Sequence, residues 1–320
     1  MTYRIGVDLG GTNIAAGVVN ENFEIVAQGS VPTQANRPGI EIVKDIASVC
    51  KKVIADAGLT EDDIVSVGLA SPGTIDSEAG IVLRAANLNF SNFPLLPYLR
   101  DMLSVKNLYI ENDANAAAWG EAIAGAAKGS KSSIMITLGT GVGGGVVENG
   151  KIHSGFNNAG AEMGHFVLSV DGRPCTCGRN GCWEAYSSAT GLINMTKEKL
   201  AECEATGRKT VMTDLVAQKG KVNGRIAFDG MRAGDEAAKE VVDEYIRYLA
   251  SGLSSVITIF RPEVLSIGGG ISNEGQYLLD LVVPLVRKAC FEGNLAPETD
   301  IRIAQLRNNA GIIGAAVLGM

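Results

Sequence analysis

The feature that most constrains this chain is a glycine-rich turn between two apolar strands that occurs twice. The first copy, Ile5-Gly-Val-Asp-Leu-Gly-Gly-Thr-Asn-Ile-Ala-Ala-Gly-Val-Val19, reads as a strand, a tight turn and a second strand that ends at Asn20-Glu21-Asn22. The pattern returns as Ile134-Met-Ile-Thr-Leu-Gly-Thr-Gly-Val-Gly-Gly-Gly-Val-Val147, with Asn149-Gly150 as a strong hairpin closure. Apart from a one-residue slip in the second strand, the copies correspond, which predicts two related halves. With 40 glycines in 320 residues, the chain has nearly twice the usual frequency of about 7%. The glycines gather after apolar runs, at Gly10-Gly11, Gly139 to Gly145 and Gly268 to Gly270, where a backbone can approach a ligand closely.

Charge removes several classes of partner. Lys and Arg number 28 against 35 Asp and Glu, and the resulting net charge of −7 opposes the phosphate-driven binding of a polynucleotide. No nucleic-acid partner is expected. The longest apolar stretch, Ala310 to Met320, is short for a membrane span and carries three glycines, so no membrane partner is expected either. Tyr3 to Leu9 reads as a strand with no basic leader before it, which gives a cytoplasmic expectation.

Between the repeats, Ile42, Val43, Ile46, Val49, Val53 and Ile54 carry the three-to-four spacing of an amphipathic helix that stops at Gly58. A third strand is expected over Glu24 to Ala27. Strand Ile64 to Leu69 runs into Ser71-Pro72-Gly73, and strand Leu108 to Glu111 runs into Asn112-Asp113 and an alanine-rich helix to about Ala127. Further helices are expected over about Cys182 to Glu204, Asp235 to Phe260, Gly275 to Phe291 and Asn309 to Leu318, with strands at Val264 to Ile267 and Ile301 to Leu306. Strands and helices in this order give an α/β architecture in two lobes with a central cleft.

Asp8-Leu9-Gly10-Gly11-Thr12 puts a carboxylate at a strand end before a turn of exposed backbone N–H groups and one hydroxyl. Such a turn can hold phosphate oxygens while Asp8 organises a hydrated Mg2+, or it can be a capped hairpin and nothing more. Leu138-Gly139-Thr140-Gly141 supplies a second such turn, and the pair suggests a clamped nucleotide. Neither copy fits a P-loop or a dinucleotide fingerprint, so the reading is ATP-dependent phosphotransfer in another fold. Gly269 and Gly270 would lie against adenosine, although a strand-to-helix turn would use the same residues.

His165, Cys175, Cys177 and Cys182 are the most specific motif: three thiols and an imidazole complete a tetrahedral structural Zn2+ site. A disulfide would leave one of three clustered cysteines over, and Cys50, Cys203 and Cys290 read as core or incidental residues. Glu162 and Glu184 flank this loop, and a metal-fixed loop would hold them rigidly enough to accept hydrogen bonds from a polyol. Asp113 is the candidate general base for an alcohol attacking ATP, or alternatively the N-cap of the alanine-rich helix.

Taken together, Asp8 to Thr12, Ser71-Pro-Gly-Thr-Ile-Asp76, Glu111-Asn-Asp-Ala-Asn115, Leu138 to Gly145, Ala161-Glu-Met-Gly-His165 and Cys175-Thr-Cys-Gly-Arg-Asn-Gly-Cys-Trp-Glu184 make the chain resemble the ROK family of sugar kinases and repressors, and within it the bacterial ROK glucokinases. The resemblance implies an actin-like ATPase (ribonuclease H-like) fold. It implies a small lobe over residues 1–113, joined by a C-terminal helix at about 307–320, and a larger zinc-bearing lobe over 114–306. It further implies that Asp113 is the base for a sugar 6-hydroxyl and that Gly73, Asn87, Asn112, Glu162, His165 and Glu184 bind the sugar. Gly10, Gly11, Thr12, Gly139, Thr140 and Gly141 would surround the phosphates, and Gly269 and Gly270 the adenosine. His165 would serve zinc with one ring nitrogen and sugar with the other. The expected reaction is phosphorylation of glucose by ATP, with N-acetylmannosamine, N-acetylglucosamine, mannose or fructose as alternative acceptors, in a homodimer or higher assembly. A repressor would need a helix-turn-helix module, whereas here the first phosphate strand begins by residue 5.

Overall fold

A computed structural model describes Thr2–Phe291 and Glu298–Met320. Strands β1 (Tyr3–Leu9), β2 (Asn13–Val19) and β3 (Ile25–Pro32) lead into helix α1 (Gly39–Asp56) and strand β4 (Ile64–Ser71). Three short strands follow, β5 (Thr74–Asp76), β6 (Ile81–Ala85) and β7 (Phe90–Phe93), then α2 (Leu95–Arg100), β8 (Leu108–Asn112) and α3 (Asp113–Ala124). The second half opens with β9 (Ser132–Leu138), β10 (Val142–Glu148) and β11 (Lys151–Ile152), and continues through α4 (Glu184–Ser187), α5 (Ala189–Thr206), α6 (Val211–Lys219), α7 (Ile226–Arg232) and α8 (Glu236–Phe260). It ends with β12 (Val264–Gly268), α9 (Gln276–Ala289), β13 (Asp300–Ile303) and α10 (Ala310–Ala316).

The duplication seen in the sequence is a duplication of topology. One five-stranded sheet has the order β3-β2-β1-β4-β8 and the other the order β11-β10-β9-β12-β13, so each consists of a three-strand meander followed by two later strands. In the first sheet β1, β4 and β8 are parallel, as are β12 and β13 in the second. Contacts divide the chain into two compact units: one runs to Met135 and adds Gly145–Ala161 and Ala304–Met320, the other comprises Ile136–Gly144 and Glu162–Ile303. The division passes through β9 and β10, and helix α3 groups with the first unit.

In the first unit, α1 covers its sheet with the residues its periodicity selects: Ile42, Val43, Ile46, Val49, Val53 and Ile54 are all buried. Each contributes roughly 1.5–3 kcal/mol in area terms. Helix α10 lies against β1 and β4 at backbone distance. A Cβ on Gly6 would overlap the Ile312 carbonyl, and one on Gly68 the Ala315 carbonyl, so glycine on the strands is what lets the helix settle there.

Several expected boundaries move for identifiable reasons. The helix expected over Cys182 to Glu204 is two helices, because the Ser188 hydroxyl accepts from Gly191 N at 3.0 Å and starts α5 afresh. The strand expected over Ile301 to Leu306 stops at Ile303, since the next amides turn to a side chain: Gln305 N and Leu306 N donate to the Glu121 carboxylate at 3.1 and 2.7 Å. Glu121 also takes Ala126 N at 2.6 Å, which ends α3 short of Ala127. The third strand runs Ile25–Pro32 rather than stopping at Ala27. The β5-β6-β7 sheet and helices α2, α6 and α7 carry no signal strong enough to have been read beforehand.

Candidate active site

The first unit gathers its candidate site residues at one edge of its sheet. Because β1, β4 and β8 are parallel, their carboxyl ends emerge together, with Asp8 opposite Ala70, Ala70 opposite Glu111 and Ser71 opposite Asn112. Ligand sites in α/β sheets form at such an edge. Asp8 is partly buried, and that burial holds its carboxyl above the ordinary carboxylate range. Its turn is closed by Gly10 N donating to Asn13 O at 2.9 Å. Thr33, fully buried, braces the turn twice: its hydroxyl donates to Gly10 O at 2.6 Å and its amide to Thr12 O at 2.8 Å. A Cβ on Gly11 would sit 3.5 Å from Asn87 Nδ2, so Asn87, expected to bind sugar, borders the turn Gly10 to Thr12.

At the corner between β8 and α3, Asn112 is the N-cap. Its Oδ1 accepts from Ala114 N at 2.9 Å and from Asn115 N at 3.1 Å, while its Nδ2 donates to Gly73 O at 3.0 Å. Asp113 therefore is not the cap. It is the exposed first residue of α3, its Oδ1 accepting from Ala114 N at 2.9 Å. The support is Glu111, which had no assigned role in the sequence. Buried at 8% exposure, it accepts from Asn112 N at 2.9 Å, Asn115 Nδ2 at 3.1 Å and the Ser77 hydroxyl at 2.9 Å. Its place next to Asn112 is the one local signal that marks it.

The second unit brings two of its glycine turns together. A Cβ on Gly269, at φ +82°, would sit 2.6 Å from the Leu138 backbone, which places the Gly269-Gly270 turn beside Gly139 to Gly141. The latter turn is held by Gly139 N donating to Gly141 O at 3.0 Å, by Ala189 N donating to Gly139 O at 2.8 Å and by the Thr190 hydroxyl donating to Thr140 O at 2.7 Å.

The cysteine loop has little regular structure but a closed backbone. Cys175 N donates to Arg179 O at 2.8 Å and Gly178 N to Cys175 O at 3.0 Å, a tight turn that presents its thiols to one side. Donor atoms of His165, Cys175, Cys177 and Cys182 all lie within 4.8 Å of one another. His165 Nδ1 is 3.7 Å from Cys175 Sγ, and Cys177 Sγ is 3.6 Å from Cys182 Sγ. Tetrahedral zinc with bonds of about 2.3 Å has ligand–ligand edges of about 3.8 Å, so the donor set fits that ion in type, number and spacing. Hydrogen bonds from Arg179 draw the Cys177 thiol down to about 6, and burial pushes Cys182 up to about 12. Next to the loop, Trp183 is fully buried, stacked on Phe166 at 5.3 Å between ring centroids. Exposed Glu162 precedes the short turn Met163–His165, its carbonyl accepting from His165 N at 3.0 Å. Glu184 Oε1 accepts from the Thr176 hydroxyl at 3.1 Å and its Oε2 from Val142 N at 3.0 Å, the second being a bond at the end of the turn Gly139 to Gly141 that spacing did not foretell.

Two sheets of one order, each ending in glycine turns beside carboxylates and hydroxyls, belong to the actin-like ATPase fold. The chain is a member of the ROK family, whose sequence pattern matches residues 4–320. It is 34% identical to a glucokinase of Halalkalibacterium halodurans, over 99% of this chain and 94% of that protein. A glucokinase of Streptomyces coelicolor is 35% identical over 99% of this chain and 98% of its own. The ROK family glucokinase of Streptomyces griseus, solved with glucose and AMPPNP, superposes with a TM-score of 0.81 at 34% identity, covering 99% of this chain and 98% of that one. Among the described residues no helix is long and apolar enough to cross a membrane.

Proposed function

We propose that this chain transfers the γ-phosphoryl group of ATP to the 6-hydroxyl of glucose. The observation that carries this reading is the corner at β8 and α3: Asn112 takes over the capping bonds, and Asp113 stands exposed at the carboxyl edge of the sheet. Asp113 accepts the proton of the 6-hydroxyl as its oxygen bonds to the γ-phosphorus. The bond from that phosphorus to the β–γ bridging oxygen breaks, and ADP leaves. Little covalent chemistry falls to the protein, so the remaining residues position and neutralise. The turns Gly10 to Thr12 and Gly139 to Gly141 receive the phosphates: the N–H groups of Gly10 and Gly139 close the turns, Gly11, Thr12, Thr140 and Gly141 offer backbone N–H groups and hydroxyls, and Gly269 and Gly270 leave room for adenosine. Asp8, ionised, would hold a hydrated Mg2+ that offsets charge on the transferring phosphate.

Sugar hydroxyls are held by Gly73, Asn87 and Asn112 in the first unit and by Glu162, His165 and Glu184 in the second. With Nδ1 toward the cysteines, His165 keeps Nε2 for a hydroxyl. His165, Cys175, Cys177 and Cys182 would hold zinc as a closed structural site that orders the loop and supplies no open coordination position. Carboxylates that accept from a free 2-hydroxyl favour glucose over sugars with an acetamido group there, because a site built to pair with hydroxyls penalises analogues that lack them. The protein acts in the cytoplasm as a homodimer or larger assembly.

An ATP-coupled screen over glucose, mannose, fructose, N-acetylglucosamine and N-acetylmannosamine tests this. Glucose should give the highest kcat/KM, with phosphate on the 6-oxygen. Preference for an N-acetylated hexosamine would replace the substrate and leave the reaction, whereas ATP turnover indifferent to every sugar would end the kinase reading.

A further inference from the structure

Glu184 has a second task that the sugar role does not require. Its Oε2 accepts from Val142 N at 3.0 Å, and a Cβ on Gly141 would overlap that same oxygen, so the carboxylate is seated directly beneath the turn Gly139 to Gly141. Its Oε1 accepts from Thr176, between two of the thiols, and lies 3.5 Å from Cys175 Sγ. Val142 is met on its other side as well: a Cβ on Gly164 would overlap the carbonyl of the next peptide, Val142–Gly143, and Gly164 directly precedes His165. Both arms of the cysteine–histidine loop thus meet at buried Val142, whose N–H belongs to the Gly141–Val142 peptide that closes the turn through Gly141 O.

We infer that Glu184 is a positioning residue for the nucleotide: it transmits the order of the cysteine–histidine loop to the turn Gly139 to Gly141, so that metal ligation strengthens ATP binding as well as holding the sugar side. The inference rests on the nucleotide and metal roles proposed above. Charge makes the link strong, since an N–H donating to a carboxylate forms one of the stronger hydrogen bonds and Val142 is buried. The coupling is a binding free energy and is therefore reciprocal: whatever factor the metal adds to nucleotide affinity, nucleotide adds to metal affinity.

The test uses calorimetric titration of the full-length protein with AMPPNP, before and after chelation, in wild type, Glu184→Ala and Glu184→Gln, with zinc content measured for each. Chelation should weaken AMPPNP binding to wild type by about 10-fold, the lower range for a charge-assisted bond to a buried amide. Glu184→Ala with its zinc retained should show a similar loss, and chelation should then add less than about 2-fold, because both changes cut one connection. Glu184→Gln, which keeps an oxygen for Val142 N, should recover most of the affinity and covers the case of an unfolded Glu184→Ala. AMPPNP should also slow zinc loss to a competing chelator in wild type and not in Glu184→Ala. Wild-type AMPPNP affinity in zinc-loaded Glu184→Ala, or losses that multiply, would overturn the coupling alone. A wild-type chain that binds sugar but no AMPPNP would overturn the nucleotide assignment and the coupling with it.

Discussion

The two sheets repeat one strand order, yet the two units fix their candidate site residues by different means. In the first unit, Asp8, Ser71 and Asn112 sit at the ends of parallel strands in mutual register, and Glu111 and Thr33 tie the adjoining turns with hydrogen bonds from within the fold. In the second, Glu162, His165 and Glu184 border a loop whose strand character amounts to two isolated bridges, Val167 with Cys182 and Pro174 with Asn180. Backbone hydrogen bonds such as Cys175 N to Arg179 O close that loop, and four donor atoms meet on it within 4.8 Å. A duplicated scaffold can therefore carry one set of candidate residues on a strand ladder and the other beside a metal-type cluster. The first half should survive any condition that spares the sheet, and the second should fail with its ligands.

The sharpest break in that comparison separates chemistry from architecture in the first unit. Asp113→Asn should lower kcat by roughly two to four orders of magnitude, the range of a positioned acid or base, while circular dichroism and glucose affinity stay near wild type. A near-normal kcat would reduce Asp113 to a helix-terminal residue. In the second unit architecture and binding should fall together. Cys177→Ser should lose zinc by elemental analysis and weaken glucose binding by about 10–100-fold, as disturbed metal surroundings do, with earlier unfolding of the second unit by hydrogen exchange. Zinc-free protein of full stability and activity would show the four residues to be incidental.

A smaller effect sharpens the contrast through pH. Asp8 has a folded-state pKa raised by burial above its unfolded value, so its contribution to stability is fully present below the ordinary carboxylate range and is lost as pH rises through the raised value. At neutral pH the ionised group costs stability. Asp8→Asn should thus abolish most turnover yet raise Tm by about 2–4 °C, which corresponds to about 1 kcal/mol. A Tm that falls would mean that the carboxylate supports the fold. Smallest of all, Thr33→Val removes one hydrogen bond to Gly10 O from the first turn. It should cost about 1 kcal/mol by denaturant titration and raise the KM for ATP a few-fold, with the second unit's zinc content unchanged.

The amphipathic α1, the paired hairpins, the cysteine motif and the strand-to-helix corner at Asp113 were all legible because each rests on local spacing. Less legible were the elements whose ends depend on distant partners. Glu121 stops β13 and α3 by taking amides from both neighbourhoods, and no window along the chain contains both. The alternative reading of Asp113 as the helix cap failed by one residue, because Asp and Asn are both good caps and adjacent. The choice fell to Asn112, whose amide nitrogen also reaches Gly73 O, 39 positions away. Glu111 shows the same limit, since a buried carboxylate is recognisable only once its three donors surround it.

By itself the sequence determined which residue types are present at which spacing: two glycine turns that free their N–H groups, three thiols and an imidazole, and a carboxylate at a strand end. These are properties of short segments, set by φ/ψ freedom, side-chain period and ligand chemistry. Tertiary structure alone decided which atom each carboxylate serves. Parallel pairing brought the ends of β1, β4 and β8 into one row, and packing of α4 and α5 against the second turn placed Glu184 on Val142 N. A hydrogen bond needs its partners within about 3 Å, and only the folded chain brings residues 42 positions apart to that distance.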